Sequence, residues 1–329
     1  MKPGVGSIVI AVCLAIAGVL TGASLGVDFV TPAQLFGALV DSITQPQPDI
    51  ISWRLQRVVG AFFVGFCLGI AGVIFQGAFR NPLAEPFLLG SAAGGSLGAA
   101  LAILLPTAAV SSVGLPVMAF LGAWGATLTV LGISRFAKID DAAGMLLVGI
   151  AVAALLGATR SMTTLVLSDE TVSLQAMLSW TLGSLQTPMG ATLALFGVLS
   201  FALLAVSMFL AKGLDILGFG EPTAQTMGMD VARFLGVALT IGALTTGLAV
   251  AWGGVLGFVG LVVPHMVRWW VGERHGPLLV HSALIGGGLL AALDGVSRAL
   301  IPPSEIPLGL ITAFMGAPFF LLLIVRRYR

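Results

Sequence analysis

Charge is what this chain of 329 residues has least of, since Asp, Glu, Lys and Arg together make up only 9% of it. A soluble globular chain carries roughly 25% charged residues, so this one has too few to cover a surface that faces water. The shortage excludes a cytosolic enzyme, and the 58% hydrophobic content excludes a disordered chain. The 44 glycines show no Gly-X-Y period, which excludes collagen. A polytopic α-helical membrane protein remains, and small residues suit it because they let transmembrane helices approach closely.

Residues that carry chemistry are also scarce. The two cysteines lie in apolar runs and support neither a disulfide framework nor a zinc site. No GxxxxGK[ST] motif is present to hold nucleotide phosphates, and HExxH and GxSxG are absent too. The spacing of His265, His275 and His281 matches no metal motif, so we interpret them as interfacial or packed side chains. We therefore expect no enzyme activity, metal or cofactor on this chain.

Long charge-free stretches predict a single all-α membrane domain over 1–329, because a span needs roughly 20 apolar residues. An uncleaved first span is favoured over a signal peptide, since its charge-free run continues to Asp28. The eighth span is short and contains Pro264, which leaves a half-helix or a re-entrant segment open. The ten predicted spans are 5–25, 58–79, 89–106, 113–133, 142–167, 190–211, 231–251, 256–271, 278–297 and 307–325.

The basic residues predict the orientation, because cytoplasmic loops of membrane proteins are enriched in Lys and Arg. Ten spans put both termini on one side. Four basic residues lie on or toward the opposite side: Arg54, Arg57, Arg160 and Arg298. The other eleven lie with the termini, so both termini are predicted to be cytoplasmic: Lys2, Arg80, Arg135, Lys138, Lys212, Arg233, Arg268, Arg274, Arg326, Arg327 and Arg329.

The cytoplasmic segment 212–230 predicts a short helix near 221–227. Pro222 suits a first helical turn, and Gly228 suits the position just past a helix end. An exposed apolar patch rimmed by polar residues indicates a partner, although a loop folded back on the bundle is the alternative. The apolar side chains expected to face water are Leu214, Ile216, Leu217, Phe219 and Met227.

Proline and glycine positions predict two further features. Pro82 and Pro86 enforce irregular backbone between spans two and three, either as a pore-side turn or as a tight interhelical connection. The pairs Gly65/Gly69 and Gly94/Gly98 predict close helix packing.

The most specific motif of the chain contains Asn81-Pro-Leu-Ala-Glu-Pro86, within 76–90. This stretch and several others resemble the permease subunits of type II ATP-binding-cassette importers for iron-siderophore complexes, haem and vitamin B12. The segment 217–228 is similar to the coupling loop of that family. The likeness extends from about residue 50 to 325, and its other motifs lie at 54–57, 257–268 and 305–320.

The resemblance implies an assembly in a bacterial or archaeal cytoplasmic membrane. Two permease protomers, expected to be a homodimer although some members pair different chains, would bind two ATPase subunits that carry ATP and Mg. An extracytoplasmic substrate-binding protein would dock outside on Arg54, Arg57 and Arg298, unless these arginines snorkel to lipid headgroups. Asn81, Pro82 and Leu83, with the loop near 134–141, would narrow the cytoplasmic exit. The ATPase would contact Leu214, Leu217, Phe219, Glu221, Pro222, Met227 and Gly228.

Arg160 stands alone within the fifth span, where a charge costs at least roughly 2.5–3.5 kcal/mol. Either it lines the pathway and favours an anionic chelate, or it snorkels to the interface. Gln175 and Trp180, in a predicted amphipathic helix over the entrance, are the other expected pathway residues.

The rival function is a secondary transporter or channel without an ATPase. Such proteins usually carry paired ionisable residues in their spans, and the sequence gives Arg160 no evident acidic partner. The sequence does not decide among iron-siderophore, haem and cobalamin; an iron chelate is favoured only because it is the broadest class.

Overall fold

The computed structural model describes residues 4–37, 50–104, 114–139, 142–167, 171–302 and 304–328. Over these ranges the chain is helical and contains no β-strand, only one isolated bridge between Ile301 and Ser304. The α-helices are α1 Val5–Ser24, α2 Ile50–Ala78, α3 Ser91–Leu104, α4 Gly114–Phe136, α5 Ala142–Leu167, α6 Thr171–Thr181, α7 Gly190–Leu217, α8 Glu221–Thr226, α9 Val231–Gly253, α10 Val259–Val271, α11 His275–Leu300 and α12 Leu308–Tyr328. A 3₁₀ turn, Pro86–Leu89, precedes α3.

Helix α2 is the centre of the bundle. It packs against α11, α9, α7 and α10, and 83% of its most apolar 18-residue stretch is buried. The same measure is 11% for α5 and 17% for α1, so those two helices lie at the periphery. A helix that is apolar all round is buried, and α2 has no charged residue between Arg57 and its end at Ala78.

Glycines bring the backbones of the central helices into contact. A methyl group on Gly65 would overlap the carbonyl of Gly286, and one on Gly69 would overlap the carbonyl of Ser282, which joins α2 to α11. Gly94 stands in the same relation to Gly122, where α3 meets α4. The sequence prediction that these glycine pairs serve helix packing is confirmed.

Seven helices in the described residues are long and apolar enough to cross a membrane, and Ser91–Leu104 and Leu308–Leu323 are shorter apolar helices. Each of the ten predicted spans overlaps a helix, but two boundaries are wrong. Helix α2 begins at Ile50 rather than at 58, so Arg54 and Arg57 lie inside it. Helix α7 continues to Leu217. The eighth predicted span is confirmed as short, since α10 has 13 residues and reaches about 20 Å.

The close approach of α2 to α11 generates a prediction. We expect Gly69→Ala to destabilise the protein by roughly 1–3 kcal/mol, because its methyl group meets a backbone carbonyl that cannot rotate away. Gly125→Ala in α4 is the matched control, since nothing lies within 4 Å of its added carbon. Thermal unfolding in detergent measures both, and equal midpoints for the two variants would contradict the packing role.

Candidate coupling, gate and docking sites

The short helix predicted near 221–227 is present as α8, with Pro222 in its first turn. Gly220, at φ 101°, lets the chain turn sharply between α7 and α8. At the other end Gly228 adopts φ 86°, and the N–H groups of Gly228 and Met229 donate to the carbonyls of Gln225 and Ala224. This pattern closes a helix end with a left-handed residue, which glycine adopts without steric cost. The predicted role of Gly228 as a helix end is confirmed.

The exposure of the coupling segment is only partly as predicted. Phe219 is 76% exposed and Met227 is 61% exposed, as expected. The expectation that Leu214 and Leu217 face water is wrong, because both are fully buried. They lie on the inward side of the last turns of α7, and Leu217 forms a cluster with Ala224 of α8 and Val231 of α9. This cluster holds α8 against the bundle and leaves Phe219 and Met227 as the accessible apolar residues.

The turn after α2, residues 80–83, contains the three predicted gate residues. The N–H groups of Arg80 and Asn81 donate to the carbonyls of Gly77 and Gln76, and Arg80 has φ 49°. The side-chain oxygen of Asn81 accepts the Leu83 N–H at 3.0 Å. These bonds close the end of α2 with a left-handed residue and connect the turn rigidly to that helix.

The segment that follows the gate turn is tied to the start of α10. The Glu85 carboxylate accepts the Phe258 N–H at 2.7 Å, and Phe258 adopts a left-handed conformation with φ 69°. Gly260 in the first turn of α10 packs against the ring of Pro86. A side chain at Gly260 would collide with that ring, so Pro86 and the first turn of α10 pack closely.

An ion pair joins the gate turn to α8. The Arg80 guanidinium lies 2.6 Å from the Glu221 carboxylate, and the two side chains are 41% and 36% exposed. Beside them, a cavity of about 760 Å³ opens between the end of α4, α8 and the start of α9. Its charged lining residues are Arg135, Glu221 and Arg233.

The three arginines predicted to dock a binding protein come together at the opposite end of α2. The Nε of Arg57 donates to the Asp294 carboxylate of α11 at 3.0 Å. Its two terminal nitrogens donate to the two carboxylate oxygens of Glu305, at 3.2 and 2.7 Å. Arg298 lies 3.0 Å from the second oxygen of Asp294 and donates to the Gly22 carbonyl of α1 at 2.8 Å. Arg54 donates to the Asp28 carbonyl at 3.0 Å. We call Arg54, Arg57, Arg298, Asp294 and Glu305 the arginine cluster.

The arginines predicted either to dock a binding protein or to snorkel to lipid are buried in this structure. Arg54, Arg57 and Arg298 are 7%, 7% and 4% exposed. Intrachain carboxylates and carbonyls satisfy them, so neither snorkelling to lipid nor an open docking rim describes their geometry. Asp294 is fully buried, whereas the Glu305 side chain is 46% exposed. Glu305 is therefore the accessible carboxylate of the cluster.

The three predicted pathway residues do not form one lining. Arg160 of α5 is half-buried and donates to the Thr181 hydroxyl at 3.3 Å, at the end of α6. Gln175 is exposed, but Trp180 is only 2% exposed and packs among alanines of α3 and α4 and Val250. A buried Trp180 cannot line an open pathway within this protomer.

Sequence reasoning missed Asp294, Glu305 and Glu85 as partners. Asp294 had a usable signal, because an acid four residues before Arg298 shares one helix face with it. The pairing of Arg57 with Asp294 also weakens one argument against a secondary transporter, since paired ionisable residues are present after all. Similarity to known proteins, rather than the absence of charge pairs, therefore has to decide whether the chain is a secondary transporter.

In the described residues, an all-helical bundle with seven candidate spans is the architecture of a multi-pass membrane protein. The chain belongs to the FecCD transport family, whose model matches residues 10–326. It is therefore a permease subunit of an ABC importer, a transport component whose ATP hydrolysis is carried by separate subunits. The rival prediction of a transporter or channel without an ATPase is excluded.

The relatives are permeases for several metal chelates. The chain is 37% identical over 277 residues to the hemin transport system permease protein HmuU of Yersinia pestis, covering 83% of this chain and 82% of that one. It is 40% identical over 275 residues to the cobalamin import system permease protein BtuC of Halobacterium salinarum, covering 82% and 72%. Among solved structures, an inward-facing ABC transporter of metal-chelate type matches with a TM-score of 0.83 and 27% identity, over 97% of this chain and 98% of that one.

The arginine cluster yields a stability prediction. We expect Asp294→Asn to destabilise the protein by roughly 3–5 kcal/mol, because it leaves two buried guanidinium groups without their shared carboxylate. Glu305→Gln is the control and should cost far less, since its side chain is partly exposed. Thermal unfolding in detergent compares the two. An Asp294→Asn variant as stable as Glu305→Gln would show that the buried charges are not what holds α2 to α11.

Proposed function

We propose that this chain is one of two permease protomers, in a homodimer, of an importer that moves a metal chelate across the cytoplasmic membrane of a bacterium or archaeon. Two ATPase subunits bind at α8, and an extracytoplasmic binding protein delivers the substrate. Relatives that carry hemin, cobalamin and ferric dicitrate support a chelate as the substrate class. No cofactor is expected on this chain, and ATP and Mg belong to the ATPase subunits.

One observation carries the coupling role of α8. Phe219 and Met227 expose two large apolar side chains at the two ends of a six-residue helix that the buried Leu217 cluster fixes in place. A rigid helix with exposed apolar residues and a polar surround fits a protein partner. Glu221, Pro222 and Gly228 shape this helix, whereas Leu214 and Leu217 support it from inside.

The proposed topology has ten spans with both termini in the cytoplasm. Seven long helices, two shorter apolar helices and the 13-residue α10 supply ten candidates. The asymmetry of Lys and Arg supports the orientation, with α8 and the gate turn inside and the arginine cluster outside.

The docking proposal takes a different form from the one that the sequence indicated. Arg57 offers a planar fork that binds carboxylates with two parallel hydrogen bonds, and Glu305 occupies it in this structure. We propose that an acidic side chain of the binding protein competes with Glu305 for this fork. On docking, a carboxylate of the binding protein would then replace the Glu305 carboxylate at Arg57, so the number of charges beside Arg57 would stay the same.

Transport in proteoliposomes tests the whole proposal. The permease is reconstituted with and without its ATPase subunits, and uptake of a ferric siderophore, hemin and cobalamin is measured with and without ATP. We expect uptake of one chelate only when both ATPase and ATP are present. Uptake that needs neither would contradict the proposal.

The coupling role of α8 gives a second test. We expect Phe219→Asp to abolish copurification with the ATPase, because it places a charge in an apolar contact, and Phe219→Leu to retain it. Both variants should keep the parent's unfolding midpoint, since Phe219 is exposed. Intact copurification and uptake for Phe219→Asp would refute the assignment.

Competition at Arg57 predicts that neutralising an acidic side chain of the permease strengthens its binding to the partner protein. We expect Glu305→Gln to strengthen binding of the soluble binding protein to permease in nanodiscs by up to about fivefold, since a partly exposed pair of about 0.2–1 kcal/mol no longer has to be displaced. Glu273→Gln is the control, because Glu273 is an exposed acid paired with Arg268 away from the cluster. Unchanged or weaker binding for Glu305→Gln would contradict the exchange.

A further inference from the structure

The gate turn and α8 meet through side chains rather than through packed backbone. Residues 78–80 face Glu221, Leu235 and Leu239 across a small cavity, and the Arg80–Glu221 pair bridges it at 2.6 Å. A gap bridged by one ion pair can transmit a displacement while leaving each side free to move as a unit.

Both sides of that bridge are rigid. Arg80 is held at the end of α2 by the hydrogen bonds of its own turn, and Asn81 fixes Leu83 within it. Glu221 begins a helix whose Ala224 is fully buried against Leu217 and Val231. A displacement of α8 is therefore not absorbed by bending within either element.

The far end of the same segment is anchored as well. Glu85 accepts the Phe258 N–H, and Pro86 packs against Gly260 at the start of α10. Residues 80–85 thus connect α8 at one end with α10 at the other. A displacement at Arg80 therefore acts on residues 81–83, which lie between the ion pair and the anchored end of the segment.

We propose that Arg80 and Glu221 are positioning residues that transmit ATPase-driven movement of α8 to the gate turn 81–83. The inference rests on the proposed coupling role of α8 and on the predicted gate role of 81–83. Because both side chains are more than a third exposed, the pair contributes little to stability, and its function can be separated from folding.

Charge reversal tests the pair in the complete complex with its ATPase. We prepare Arg80→Glu, Glu221→Arg and the double reversal, and measure copurification, ATP hydrolysis and chelate uptake in proteoliposomes. Each single reversal replaces attraction with repulsion, so uptake per ATP hydrolysed should fall about fivefold or more. For Arg80→Glu, which lies outside α8, copurification and hydrolysis should persist. The double reversal restores the attraction and should recover most of the uptake.

Glu273→Arg is the control, because it also reverses the acid of an Arg–Glu pair, at 3.1 Å, and its side chain is 85% exposed at the end of α10. This variant should leave the ratio of uptake to hydrolysis unchanged. Parental uptake by Arg80→Glu and Glu221→Arg, or no recovery in their double reversal, would overturn the proposal. Loss of copurification in Arg80→Glu would overturn it too, by assigning the pair to ATPase binding. Failure of the coupling role itself shows separately, as intact copurification by Phe219→Asp.

Discussion

The contact between α2 and α11 is the constraint on which the rest of the structure depends. Glycines at 65, 69 and 286 bring the two backbones within reach of each other's carbonyl oxygens, and the other central helices then pack around α2. Both functional ends follow from this placement. The arginine cluster lies on the first turns of α2, and the gate turn closes its last turn. One buried helix therefore connects the proposed docking end with the proposed coupling end.

The charged side chains of the chain differ in burial between the two ends of the bundle. At the arginine cluster, Asp294 is shared by the two buried guanidinium groups of Arg57 and Arg298, near one end of the bundle. Burying charge is costly unless each group is paired and hydrogen-bonded, and here carbonyls of Gly22 and Asp28 complete the set. At the other end, Arg80 and Glu221 are both partly exposed, so their ion pair is screened by solvent. Buried pairing and exposed pairing thus distinguish the two ends of the bundle.

The sequence was sufficient where local chemistry decides the structure. Pro222 and Gly228 mark the start and end of α8, because the backbone preferences of these two residues decide the structure there. Pro264 and the short apolar stretch that contains it predict the short α10. It was insufficient where the three-dimensional neighbourhood decides. Leu214 and Leu217 fall in a segment whose composition predicts an exposed loop, but α7 extends through both and turns them inward. The burial of the arginines depends on Asp294, which lies 237 residues from Arg57 along the chain. No spacing rule reports such a contact.

The length and burial of α2 determine how much of this helix can contact lipid. Its 29 residues extend about 43 Å, well beyond a hydrocarbon thickness of roughly 30 Å. Neighbouring helices rather than lipid cover most of it, so its excess length causes no hydrophobic mismatch. The surfaces that the rest of the chain leaves largely uncovered, for lipid or a second protomer, belong instead to α1 and α5. The helix that links the two proposed functional ends therefore offers little surface on which a change in bilayer thickness could act.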